Sequence, residues 1–86
     1  MQAASAYDQM ALQIRRAETD RNLANMPSYV EFEEMATDEK RSIALRTDLS
    51  PGEIAERQAL IDGALSAFRN RNMGLALRRM SHALRQ

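Results

Sequence analysis

The sequence predicts an all-α fold, a small domain of three to four helices ending in an antiparallel helical hairpin. Three observations carry this. Ala, Leu, Arg, Glu, Gln and Met, the strong helix formers, recur throughout. Glycine (3) and proline (2) are scarce, and both prolines stand where helices should start. Apolar residues return every three or four positions, the spacing of one helical face. At 86 residues the chain is a single domain with a thin core. Helices are expected over about 3–25, 28–46, 50–70 and 73–85.

The first helix carries Ala3, Tyr7, Met10, Ile14, Ala17 and Ala24 on one face, with Arg21 interrupting. Leu12 and Leu23 fall on the opposite face and nearly eclipse each other. They are either ordinary exposed leucines or a second contact surface. Pro27 should end this helix, because proline disfavours helical backbone in the residue before it.

Ser28 then offers an N-cap, and Glu31 the third position of a capping box. The second helix presents Tyr29, Phe32, Met35, Ala36 and Ile43, with Glu39 intruding. The alternatives are a break at Thr37 and a short strand over residues 29–32, where Tyr, Val and Phe mix with polar residues.

The third helix has the strongest start signal. Ser50 is the N-cap, Pro51 takes the first helical position, Glu53 completes a capping box, and Leu49 and Ile54 are spaced as a hydrophobic staple. Ile54, Ile61, Leu65 and Phe68 share one face, and Leu60, Ala64 and Ala67 the adjoining flank. Gly63 lies off that face and should cost about 1 kcal/mol relative to Ala.

Two asparagines and a glycine within residues 70–74 predict a turn. The last helix would bury Met73, Ala76, Leu77, Met80 and Leu84. The alternative is one continuous helix from Pro51 to Arg85, roughly 50 Å long. It would need an oligomer to cover its apolar face.

Residues 60–84 resemble a single tetratricopeptide-type helix–turn–helix. Leu60, Ala64, Ala67 and Phe68 match the first helix of that motif, and Met73, Ala76, Met80 and Ala83 the second. Gly63 replaces the usual leucine, and no proline follows the second helix. A shift by the repeat length of about 34 residues finds nothing comparable upstream. The resemblance implies a helical hairpin with small residues at the helix contact, and an adaptor or chaperone-like role in protein binding.

Charge is balanced in total and uneven in place. Residues 1–48 carry nine acids and six bases; residues 49–86 carry three acids and six arginines, and none of those acids follows Gly63. This predicts either attraction between an acidic second helix and a basic last one, or a basic tip for an anionic partner. The absence of net charge argues against steering to nucleic acid.

No catalytic or metal site is expected, and no cofactor. Cysteine is absent, and the single histidine, His82, has none of the partners that a metal or catalytic role requires. Glu31, Glu33, Glu34, Asp38 and Glu39 lack the glycine and spacing of a calcium loop. The N-terminus lacks the basic and apolar regions of a signal peptide, and no apolar run approaches membrane-spanning length. The expected location is cytoplasmic.

Arg78, His82 and Arg85 line the face of the last helix opposite its apolar stripe, with Arg79 beside them and Leu75 in the middle. A leucine within arginines has the form of a protein-contact spot, an apolar centre with a charged rim. The expectation is a small non-enzymatic interaction protein, an adaptor, chaperone subunit or inhibitor of the kind bacteria and phages use. It would act through Leu12, Leu23 and Leu75 on another protein or on itself. The alternative is a weak binder of nucleic acid or an anionic ligand through Arg71, Arg78, Arg79 and Arg85, at an oligomer interface if one forms.

Overall fold

Each of the four α-helices among the described residues begins at a side-chain cap. The computed structural model describes residues 5–85. They form α1 (Ala6–Thr19), a short 3-10 turn (Leu23–Asn25), α2 (Tyr29–Ala44), α3 (Pro51–Arg69) and α4 (Met73–Ala83), with no strand among the described residues. Ser5, Ser28, Ser50 and Asn72 accept from the backbone N–H groups of Asp8, Glu31, Glu53 and Leu75 at 3.1–3.2 Å. Each bond satisfies a donor that the first helical turn leaves free. Only at α3 is the capping box complete, because Glu53 also accepts from the N–H of Ser50 at 3.2 Å. The start expected for α1 at Ala3 lies outside the described residues.

α1 is shorter than its periodicity predicts. It ends at Thr19 rather than near residue 25. Arg21 turns into the left-handed region at φ 54°, and the N–H groups of Arg21 and Asn22 close back onto the carbonyls of Glu18 and Ala17. This is a Schellman stop with arginine where glycine is usual. α3 ends in the same way. Arg71 has φ 61°, and the N–H groups of Arg71 and Asn72 bond to Phe68 and Ala67. The expected turn is therefore present, and the continuous helix from Pro51 to Arg85 is excluded. α2 runs unbroken through Thr37, and residues 29–32 are helix rather than strand.

The core is one cluster drawn from all four helices, with Ile14, Phe32, Ile61 and Met80 its largest fully buried side chains. Phe32 of α2 and Phe68 of α3 stack at 4.3 Å between ring centroids, 15° from parallel. α3 packs against both α2 and α4. That explains why Ala64 and Ala67 are buried while Ile54, Leu60 and Leu65 are half-buried. A helix with neighbours on two sides buries a wider arc than one stripe, and alanines let the neighbours approach. Arg57 near the start of α3 donates to the carbonyl of Ala83 at the end of α4, and Arg79 of α4 donates to that of Gly63 at 2.8 Å.

Gly63 is thus not the idle position the periodicity implies. It is half-buried beneath Arg79, and a Cβ there would meet that side chain's Cδ at 3.2 Å. The expected attraction between α2 and α4 also takes another form. Lys40 pairs with Asp62 of α3 at 2.8 Å, Arg41 with Asp38, and Arg46 with Asp48; among the described residues no ion pair joins α2 to α4. Arg57 and Arg69 of α3 and Arg79 of α4 bond instead to carbonyls and to a phenol.

Candidate interaction surface

The ends of α1 and α3 and the starts of α2 and α4 meet at one end of the molecule, around a groove of about 530 Å³. Its lining comes from every segment that turns there. Glu18 comes from α1, and Leu23 and Met26 from the 3-10 turn and the residue after it. Pro27 and Tyr29 lead into α2, Phe68 and Arg69 close α3, and Arg71 and Met73 open α4. Pro27 and Phe68 are buried, Met26, Tyr29 and Met73 are half-buried, and Leu23 stands 73% exposed at the edge.

The rim is cationic and partly preorganised. Arg69 lies over the Tyr29 ring, its guanidinium carbon 4.9 Å from the centroid, and donates to the Tyr29 hydroxyl at 2.7 Å. Tyr29 in turn sits 6.4 Å from Phe68, ring to ring. Arg71 is exposed and makes no ion pair among the described residues, although Glu18 lines the same groove. α4 opens without an acidic residue in its first turn, whereas α1, α2 and α3 carry Asp8, Glu31 and Glu53 there. The positive end of its dipole adds to the local field.

The residues singled out in the sequence do not form one patch. Leu23 and Arg71 share the groove. Leu12 is 49% exposed and lines a separate depression with Gln13, Arg16 and Asn25. The line joining Leu12 to Leu23 is lost because α1 stops between them. Leu75 is half-buried and packs against the core, so it is not a free apolar centre. Arg79 is half-buried on Gly63, while Arg78, His82 and Arg85 are exposed. Arg71 precedes α4, while His82 and Arg85 stand at its far end, about 16 Å of helix away.

Two aromatic rings stand beside arginines here: Phe68, next to Arg69 in sequence, and the distant Tyr29 line the groove with Arg69 and Arg71. Tyr29 and Arg69 are 40 positions apart, so no local pattern joins them. One signal was present. The triplets Arg21-Asn22-Leu23 and Arg71-Asn72-Met73 have the same form, and both fold into the same turn.

On α2, Glu33, Glu34 and Asp38 are exposed, and among the described residues no group of three or more His, Cys, Asp or Glu is placed to hold a metal ion. Among the same residues no helix is long and apolar enough to cross a membrane. Comparison of the chain with protein-family models, curated proteins and solved structures finds no match. The class that the fold defines is a small all-α protein of four helices over the described residues.

Proposed function

We propose that this protein is a small non-enzymatic interaction module, an adaptor, chaperone subunit or inhibitor, that docks another protein at the groove where its helix ends converge. The observation that carries the reading is Leu23, 73% exposed beside the half-buried Met26, Tyr29 and Met73. An apolar side chain at the lip of an apolar groove is the surface that a partner's burial would stabilise. In this reading α3 and α4 form an antiparallel hairpin, and their junction supplies one wall. The polar groups present are two guanidiniums, a phenol and a carboxylate, which suit orientation of a bound chain better than nucleophilic or acid–base chemistry.

Leu23→Glu tests the reading, because this exposed position should tolerate the change without loss of fold. Native mass spectrometry of the protein purified from its own host should show a hetero-complex for wild type. The same partner should be absent from Leu23→Glu, with the melting temperature unchanged. A wild-type chain recovered alone, or a complex indifferent to Leu23→Glu, overturns the assignment.

A further inference from the structure

We infer that the partner segment the groove accepts is acidic, with apolar side chains for the groove wall beside a carboxylate for Arg71. This rests on the docking reading above and adds the chemistry of the partner. Arg71 projects from a backbone position that glycine would occupy with less strain, at φ 61°. Its guanidinium is exposed at the groove and has no carboxylate partner among the described residues. Arg69 beside it is held in place by Tyr29, which takes one of its five N–H donors. Two guanidiniums against one carboxylate, Glu18, leave a cationic rim around an apolar floor. Guanidinium matches carboxylate in a two-bond fork, so an Asp or Glu side chain is the complementary group.

Two other occupants fit less well. A nucleic-acid base would need an open aromatic face, but Arg69 covers the Tyr29 ring and Phe68 is buried. A second copy docking groove to groove about a two-fold axis would gather four arginines against two Glu18 carboxylates, an excess of like charge in one interface.

The test is selection from a random displayed peptide library against the intact chain, followed by affinity measurement of the enriched peptides on variants. Enriched sequences should combine aliphatic or aromatic residues with Asp or Glu. Their affinity should fall with salt, tenfold or more with Leu23→Glu, and about three- to tenfold with Arg71→Gly. Arg71→Gly should at the same time raise the melting temperature, because it relieves the left-handed backbone. Binding and stability then move in opposite directions, which loss of fold cannot mimic. Enriched peptides without acids, or binding indifferent to Arg71→Gly, overturn the acidic partner and leave the docking reading standing. No peptide sensitive to Leu23→Glu overturns both. Self-association abolished by Leu23→Glu makes the occupant a second copy and overturns the inference.

Discussion

The hydroxyl of Tyr7 donates to the carbonyl oxygen of Leu77 at 2.9 Å and ties the first helix to the last across 70 positions of sequence. Ser81 lies 2.8 Å from the same phenolic oxygen and completes the pair of bonds. The ring itself is only 7% exposed. Tyr7→Phe keeps the ring and removes the link, and should cost about 1 kcal/mol. Tyr7→Ala also removes the packing and should cost about 3 kcal/mol. Thermal unfolding followed by circular dichroism separates the two. Equal melting temperatures for wild type and Tyr7→Phe would show that the bond contributes nothing.

Gly63 and Arg79 should behave as a coupled pair. Ala in place of Gly inside an exposed helix gains about 1 kcal/mol. Here the added Cβ would press on the Arg79 side chain at 3.2–3.3 Å and disturb its 2.8 Å bond to the Gly63 carbonyl. The two effects oppose each other, so Gly63→Ala alone should leave stability nearly unchanged. In an Arg79→Ala background the obstruction is gone, and the same substitution should stabilise by about 1 kcal/mol. A double-mutant cycle by urea unfolding measures the coupling directly. Strict additivity would mean that Arg79 does not rest on this glycine in solution.

The two left-handed arginines allow a stabilising change. A non-glycine residue in that region carries a steric cost of roughly 1–2 kcal/mol. Arg21 and Arg71 both hold it, at φ 54° and 61°, because the hydrogen bonds that close α1 and α3 require it. Arg21→Gly and Arg71→Gly should each stabilise by about 1 kcal/mol, reduced by the extra freedom that glycine brings to the unfolded chain. Their effects should add, since the turns belong to different helices. A lower melting temperature for both variants would show that the arginine side chains contribute more to the fold than their backbone strain costs.

What could be read from the sequence divides by range. Helix starts were legible because a cap is local: Ser28, Ser50 with Glu53, and Asn72 before α4 each act within three residues. The buried positions of α2, namely Phe32, Met35, Ala36 and Ile43, follow from the same short period. The end of α1 was not legible, because an apolar rhythm continuing to Ala24 conceals a stop that depends on the backbone of Arg21. Leu75 was misjudged for a related reason. A single-face reading of α4 assumes one neighbour, whereas Leu75 is half-buried and packs against a core cluster drawn from all four helices. The groove was beyond reach, since Leu23, Tyr29, Phe68 and Arg71 meet only when four helix ends are brought together.

Glu39 sets one pH dependence of the fold. It is half-buried on α2, and burial, with smaller contributions from Asp38 and Asp8, raises its carboxyl above the ordinary range. The folded chain therefore holds this proton more tightly than the unfolded chain does, and stability falls as pH rises from the unfolded to the folded pKa. Asp48 has the opposite sign, because the Arg46 hydrogen bond lowers its carboxyl, and its contribution is lost as pH falls. Replacing Glu39 with Gln keeps the size and removes the charge. Glu39→Gln should raise the melting temperature at neutral pH, and the advantage should vanish once pH falls below the carboxyl range. Melting curves for both proteins across that interval give the answer. An advantage that persists unchanged into acid would assign the gain to packing rather than to charge.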